Sequence, residues 1–404
     1  MMHPAEEPPR SLWKKVRALP RDRSVREALF AFAISRTAVL LLLIGTASAR
    51  HDITAPGFDP ADPHPTVRVE PAKIIERLQR TLERGDSSWY MSIAQQGYDR
   101  IPFDHRQQHN WVFFPLYPLL AGFLASGTGE YMITAALLSN ALFFIALVLL
   151  HKLVCALGFD LATADRTVFY QAIFPVSYFF SLPLPESLFL CLNLASFLAA
   201  AHGRWLVAAL FGALSSATRL SGVILAPALA LFYGQRTDRS KWGPAVCWLG
   251  LAPLGLLAFM LFLWETTGNP LACVQAVEAW ERKGGFFLLT LSRYLANPLD
   301  LIEPWNFRAL HFAAAVLALA ATFFWARRKQ WAFTAFTFLA ILLPLSSGTL
   351  DSTARYVSVV FPVFIALGVI GAQPRVDHLI RVVFLILFGL MTVFYGLRFS
   401  FAAA

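Results

Sequence analysis

The chain has 404 residues, of which 57% are hydrophobic and only 15% are charged, and its mean hydropathy is +0.56. Soluble domains carry roughly a quarter charged residues, so this composition excludes a soluble globular protein and indicates an integral membrane protein. The net charge of +9 does not indicate a nucleic-acid partner. The basic residues lie in short segments between apolar runs, as the positive-inside rule predicts for membrane proteins.

The apolar segments predict an all-α polytopic membrane protein with about eleven transmembrane helices, since about 20 apolar residues span a bilayer as a helix. Helices are favoured because backbone groups in lipid must form their hydrogen bonds internally. The predicted spans cover residues 29–47, 131–150, 167–185, 186–201, 244–264, 309–326, 330–346, 356–370 and 382–397. Residues 205–231 are too long for one span and predict two short helices, interrupted at Arg219.

The charge pattern predicts how this single membrane domain, residues 1–404, is arranged across the bilayer. The basic N-terminal segment 1–28 is expected in the cytoplasm. Residues 50–110 then form an outer catalytic loop, with an amphipathic interfacial helix over 70–84. Residues 265–308 form a second outer loop.

The first outer loop carries the most specific candidate, Asp86. Trp89 and Tyr90 follow it, and aromatic residues at this position suit an interfacial pocket. Asp86 is a general base, a solvated loop acid, or a cap for a helix beginning near Ser88. The run 113–118, which is aromatic and proline-containing, is either a rigid helix entry or the wall of a groove for a lipid chain.

Four charged residues lie in or beside apolar segments, where an ionisable group needs a partner or a function. Arg36 is expected to snorkel toward the cytoplasmic headgroups rather than to hold a lipid phosphate. Arg219 either binds a phosphate, which its guanidinium geometry suits, or pairs with Glu186. Glu186 is either a helix N-terminal charge or a second acid facing the site. Arg355 either binds a phosphate or contacts bulk lipid headgroups.

The order of the motifs along nearly the whole chain resembles the PIG-V family. That family contains the second mannosyltransferase of glycosylphosphatidylinositol assembly and its bacterial relatives. The residues that carry the resemblance are Asp86, Trp89-Tyr90, Ile93-Ala94, Gly97-Tyr98, His109-Asn110, Phe113-Phe114-Pro115, Pro118-Leu119, Phe174-Pro175, Ser177, Phe179-Phe180-Ser181, Glu186 to Phe189, Arg219, Gly222, Gly268 to Leu271, Gln275, Trp280, Arg355-Tyr356 and Phe361-Pro362. The chain departs from the family pattern at Gly85, where Trp is frequent, and at Pro185, where Thr or an aromatic residue is frequent.

The resemblance implies a GT-C type glycosyltransferase that moves a sugar, expected to be mannose, from a polyprenyl-phosphate donor to an acceptor hydroxyl outside the cytoplasm. The acceptor is a lipid, a glycan or a protein. A phosphate leaves as a stable anion, so one base is enough, and direct displacement inverts the anomeric centre. Asp86 is the expected base, and Arg219 and Arg355 the expected phosphate ligands. The residues expected to bind sugar or acceptor are Trp89, Tyr90, His109, Asn110, Glu186, Gln275, Trp280 and Tyr356. No metal or cofactor is expected.

A transporter or lipid flippase is the alternative function. It predicts paired internal repeats and ionisable residues spread along several helices, whereas an enzyme requires Asp86, Arg219 and Arg355 to converge on one pocket. The chain has short loops and contains no Asn-x-Ser/Thr glycosylation acceptor. Both features favour the bacterial inner membrane as its location. The active site is then expected on the outer face.

Overall fold

The computed structural model of the protein describes residues 22–49, 71–236, 243–280, 284–302 and 308–402. Every regular element in these ranges is helical, which confirms the all-α prediction. Most of the predicted cytoplasmic N-terminus lies outside the described residues. So do parts of the two predicted outer loops, namely residues 50–70, 281–283 and 303–307.

The helices vary widely in length. The described α-helices are α1 (Arg23–Ala49), α2 (Pro71–Leu82), α3 (Asp86–Gln96), α4 (Leu116–Ala125), α5 (Tyr131–Ala156), α6 (Leu161–Ala172), α7 (Glu186–Ala201), α8 (Trp205–Ser216), α9 (Leu225–Arg236), α10 (Leu254–Thr267), α11 (Ala272–Gln275), α12 (Phe287–Ala296), α13 (Arg308–Arg327), α14 (Trp331–Leu345), α15 (Thr353–Ser358), α16 (Phe361–Ile370) and α17 (Pro374–Gly396). Short 3-10 helices cover Asn110–Val112, Ser177–Ser181, Leu220–Ile224, Pro244–Leu251, Ala276–Trp280, Pro298–Leu301 and Ser400–Ala402.

The chain is an integral membrane protein. Among the described residues, five helical stretches are long and apolar enough to cross a bilayer: α1, α5, Pro244–Thr267, α13 and α17. Shorter apolar helices accompany them: α4, α7, α8, α12, α14 and α16. The exact number of spans stays a prediction, because a 10-residue helix such as α4 is only about 15 Å long.

Several apolar segments are broken rather than continuous. The predicted interruption at Arg219 is confirmed, since it lies between α8 and the 3-10 turn that leads into α9. The predicted single spans over 167–185 and 356–370 are wrong as continuous helices. α6 ends at Ala172, just before Pro175, and α16 begins anew at Phe361 with Pro362 in its first turn. Proline has no backbone N–H for a helix interior but is tolerated in a first turn, so both breaks lie where the sequence permits them.

Arg36 lies on α1 and stabilises the segment between α6 and α7. Its guanidinium donates to the backbone oxygens of Ala172 and Ser177, at N···O distances of 3.3 and 2.9 Å, and to the hydroxyls of Ser177 and Ser181, at 2.7 and 2.9 Å. Arg36 is only 8% exposed. The expectation that it snorkels to the headgroups is therefore wrong, because the carbonyls freed by the helix break offer it closer partners inside the protein.

The two ends of the helix bundle differ in charge. At one end, Arg23 pairs with Asp165 at 2.5 Å and Lys152 with Asp22 at 3.0 Å, which ties the start of α1 to the end of α5 and the start of α6. Arg204 and the 327–329 turn lie at this same end, which we call the basic end. α7 begins at Glu186 and runs toward the basic end, so Glu186 faces the opposite end of the bundle.

Replacing Arg36 with Met tests its role. The substitution leaves buried carbonyl groups without donors, and we expect it to destabilise the protein by about 3 kcal/mol or more. Thermal unfolding of the purified protein in detergent measures the effect. Arg26→Met is the matched control, because Arg26 lies on the same helix with 65% of its side chain exposed. Equal unfolding temperatures for the two variants would show that Arg36 does not stabilise the segment between α6 and α7.

Candidate active site

Four charged side chains meet where helices begin or break. Asp86 is the first residue of α3, and Glu186 is the first residue of α7. Arg219 lies between α8 and the 3-10 turn Leu220–Ile224, and Arg355 lies on the short helix α15. None of them lies in the middle of a long helix, so backbone breaks bring charged groups together inside an otherwise apolar bundle.

Glu186 bridges the two arginines, and Arg355 bridges the two acids. Glu186 Oε1 accepts hydrogen bonds from Arg219 Nη1 and from Arg355 Nε, each at 2.6 Å. Arg355 Nη1 donates to Asp86 Oδ2 at 2.5 Å. We call these four residues the charged quartet. The Glu186 side chain is fully buried, whereas 36% of the Asp86 side chain is exposed, so Asp86 is the more accessible of the two acids.

Both arginines also stack on aromatic rings. The Arg219 guanidinium carbon lies 4.8 Å from the ring centre of Tyr356, and that of Arg355 lies 5.0 Å from the ring centre of Phe179. A guanidinium is attracted to an aromatic face, so these rings add to the contacts that hold the two arginines. The guanidinium groups are therefore fixed in orientation before any ligand arrives.

The backbone turn at Gly85 sets the direction of Asp86. Gly85 has φ 58° and ψ −131°, a conformation that is essentially restricted to glycine. A residue with a side chain at this position would therefore be strained. The alternative that Asp86 caps a helix beginning near Ser88 is wrong. α3 begins at Asp86 itself, and the carboxylate bonds Arg355 instead.

Buried hydrogen bonds hold the short helix that carries Arg355. His311 Nδ1 on α13 accepts from the backbone N–H of Ala354 at 3.2 Å, and Gln171 Nε2 on α6 donates to the carbonyl of Ser358 at 2.8 Å. A six-residue helix has little stability of its own. These two contacts therefore position Arg355 from outside the helix.

The charged quartet opens into a cavity of about 260 Å³. Its polar lining includes Asp86, Arg219 and Arg355, so the three residues do converge on one pocket. The rest of its wall combines apolar, aromatic and hydroxyl groups, namely Tyr90, Val112, Phe113, Phe114, Leu220, Ser221, Cys273, Val277, Trp280, Leu343, Pro344, Ser347, Ser352 and Tyr356.

An aromatic cluster forms one wall of this cavity. The Phe113 ring stacks on Trp89 at 5.8 Å and contacts Tyr90 at 5.1 Å and Trp280 at 6.0 Å, edge to face. Burial raises the pKa of the Tyr90 phenol, so Tyr90 faces the cavity as a neutral hydroxyl. Trp280 comes from the second predicted outer loop, so this cluster joins that loop to the first one.

Five of the predicted sugar- or acceptor-binding residues are absent from the described cavity lining: Trp89 packs on Phe113, Glu186 bonds the two arginines, and the other three lie in the surrounding loops. His109 Nδ1 pairs with Asp99 Oδ2 at 3.1 Å, and the Asn110 side chain bonds the backbone at Gly97 and Asp99. Gln275 Oε1 accepts from Asn269 Nδ2 at 2.7 Å. These side chains stabilise the loops around the cavity and are absent from its described lining.

Sequence reasoning did not identify several lining residues. These residues are Ser221, Val277, Leu343, Pro344 and Ser347. Ser221 lies two positions after Arg219, so the prediction for Arg219 could have indicated that Ser221 also lies at the site. Leu343 and Pro344 lie in an apolar stretch that gives no signal distinct from a lipid-facing helix.

Glu186→Leu should destabilise the protein by about 3–5 kcal/mol, because it leaves two buried guanidinium groups without their shared anion. Glu186→Gln keeps one acceptor oxygen for the arginines and should unfold closer to the wild type. Thermal unfolding of both variants measures the difference. If the Leu variant is as stable as the Gln variant, the bridge does not hold the arginines in place.

Comparison with known proteins supports one family. A sequence model of the mannosyltransferase family PIG-V matches residues 25–233, which is just over half of the chain. A search of curated proteins finds no match.

Two solved structures have a similar shape. One is the archaeal oligosaccharyltransferase AglB from Archaeoglobus fulgidus in complex with an inhibitory peptide and a dolichol-phosphate (14% identity, TM-score 0.39, 78% of this chain and 51% of that one). The other is the apo oligosaccharyltransferase of Archaeoglobus fulgidus (14% identity, TM-score 0.46, 93% of this chain and 55% of that one). The chain spans about half the length of these proteins. On the extent of the family match, the chain belongs to the PIG-V mannosyltransferase family.

Proposed function

We propose that this protein is a membrane glycosyltransferase of the GT-C type that transfers a sugar, expected to be mannose, from a polyprenyl-phosphate donor to an acceptor hydroxyl. Membership of a mannosyltransferase family supports the reaction class. The single observation that carries the proposal is the cavity in which one accessible carboxylate, Asp86, lies beside two oriented guanidinium groups, Arg219 and Arg355.

In the proposed reaction Asp86 is the general base. Its Oδ2 is held by Arg355, while its Oδ1 has no hydrogen-bond partner within the described ranges and is available to an acceptor hydroxyl. The hydroxyl proton passes to Asp86, and the hydroxyl oxygen forms a bond to the anomeric carbon of the sugar. The bond between that carbon and the phosphate oxygen breaks, and the polyprenyl phosphate keeps the electron pair. Attack opposite to the leaving group inverts the anomeric centre.

The two arginines then stabilise the departing phosphate. Arg219 uses only Nη1 in its bond to Glu186, so its other nitrogens carry donors that no described residue engages. Arg355 contacts both the base and the leaving group in this proposal, because it bonds Asp86 and faces the leaving phosphate. When Asp86 takes the proton it loses its charge, and the charged quartet changes from neutral to a net positive charge. This positive charge appears as negative charge grows on the phosphate. The attraction between the two charges favours departure of the phosphate.

The charge of the short connections supports an outer active site. At the basic end the connections carry Arg204, Arg328 and Lys329. At the other end, the connections 126–130, 173–185, 268–271 and 346–352 carry neither Lys nor Arg, and 217–224 carries only Arg219. The positive-inside rule assigns the basic end to the cytoplasm, and the cavity then faces the outside. Since no Asn-x-Ser/Thr acceptor is present, we assign the protein to the bacterial inner membrane.

The same geometry weighs against the transporter alternative. A transporter predicts ionisable groups along a path through the bilayer, whereas Asp86, Arg219 and Arg355 share one cavity. The aromatic and apolar wall around them suits a sugar ring and the first units of a lipid chain.

Asp86→Asn should lower sugar transfer by about a hundredfold or more, because it removes the proton acceptor while nearly keeping the shape. Membranes containing the variant are assayed with labelled polyprenyl-phosphate mannose. Asp104→Asn is the matched control, since Asp104 lies in the same loop and outside the described cavity lining. Near wild-type transfer by the Asp86 variant would exclude it as the base.

Arg219→Gln should reduce kcat/KM for the donor by roughly tenfold to a hundredfold, the range expected when one hydrogen bond to a charged group is lost. The variant is assayed over a range of donor concentrations, with unfolding temperature recorded in parallel. Arg100→Gln, an exposed arginine of the first outer loop, removes the same charge away from the cavity. An equal loss in both variants would indicate a general charge effect and contradict phosphate binding by Arg219.

A further inference from the structure

A second cavity, of about 530 Å³, lies at the basic end of the bundle, away from the charged quartet. It forms where the ends of α5, α9 and α13 meet the start of α14. Its lining residues are Leu157, Phe159, Phe232, Gln235, Arg236, Trp325, Arg328, Gln330 and Phe333. The proposed reaction uses none of them.

The lining of this cavity combines cationic and aromatic side chains. Its charged groups are Arg236 and Arg328, and its described lining contains no carboxylate. Each guanidinium lies over an aromatic ring: Arg236 over Phe232, at 4.8 Å, and Arg328 over Phe324, at 4.4 Å. Their positive charge is therefore not neutralised by an acid lining the cavity.

The turn that carries Arg328 is fixed to α9. Gln235 Nε2 donates to the carbonyl of Lys329 at 2.5 Å, and Gln235 Oε1 accepts from the N–H of Ala332 at 3.0 Å. Lys329 has φ 56°, a left-handed conformation that is unfavourable for a residue with a side chain. The glutamine contacts hold this turn against the helix end that carries Arg236, so both arginines stay at one cavity.

We propose that this cavity binds the headgroup of an anionic phospholipid. The phosphate is held between Arg236 and Arg328, because guanidinium groups bind phosphate with paired hydrogen bonds. The glycerol and the first carbons of the acyl chains lie against Leu157 and Phe159, the half-buried apolar side chains of the cavity wall. Basic pockets between transmembrane helices on the cytoplasmic side suit such lipids. A soluble phosphate ester has no apolar part to match this wall.

The test measures which lipids stay bound to the purified protein. The protein is reconstituted in vesicles of equal parts phosphatidylcholine and phosphatidylglycerol, extracted in mild detergent and analysed by native mass spectrometry. We expect the wild type to retain phosphatidylglycerol preferentially. The double variant Arg236→Gln/Arg328→Gln should lose this preference by roughly thirtyfold, as follows from the attraction of two arginines to an anionic lipid.

A charge-matched control separates a site from general surface attraction. Arg26→Gln/Arg204→Gln removes two exposed arginines at the same end of the bundle and outside the described cavity lining, and should keep the preference. An equal loss in this control would overturn the proposal. So would complete displacement of the lipid by soluble glycerol 3-phosphate, which would indicate a free phosphate ester. Unfolding temperatures in phosphatidylcholine alone should match the wild type for both double variants.

Discussion

The arrangement of the candidate site depends on the buried carboxylate of Glu186. Two guanidinium groups repel each other strongly where water is excluded, and each loses its hydration on burial. One oxygen of Glu186 accepts hydrogen bonds from both, over sequence separations of 33 and 169 residues. This one anion therefore links three breaks in the chain and lets two cations face the same cavity. Asp86 is then left at the accessible edge, beside a cation that is already fixed.

The breaks themselves obey the rule that backbone polar groups inside a membrane protein need partners. The carbonyls freed after α6 are bonded by Arg36, and the short helix α15 is bonded by Gln171 and His311. Each of these side chains is buried and reaches from a different helix. The polar groups near the charged quartet are thus supported by the surrounding bundle, and the chain keeps irregular segments beside its site without exposing them to lipid.

The sequence predicted those parts of the fold and site whose signals are local. Long apolar segments predicted the long helices, and the polar residues around Arg219 predicted the break there. The grouping of Asp86, Arg219 and Arg355 followed from their charge beside apolar segments and from the family pattern. The break within 167–185 was missed, because a buried turn is as apolar as a helix.

Side-chain direction was the least predictable property. His109 and Asn110 belong to the most specific motif, yet they face Asp99 and Gly97 rather than the cavity. Their orientation depends on the path of the whole loop. Lining residues such as Leu343 were missed for a related reason: composition does not distinguish an apolar side chain that faces a cavity from one that faces lipid.

The position of Arg36 has a consequence for biosynthesis. During translation this arginine reaches the bilayer long before Ser177, its partner 141 residues later in the chain, has been made. An unpartnered arginine at the centre of a nascent span opposes insertion by roughly 2.5–3.5 kcal/mol. The apolar residues of the 27-residue helix α1 must offset this penalty alone. Completion of the arginine's contacts is then a late step, which follows the arrival of α5 and α6.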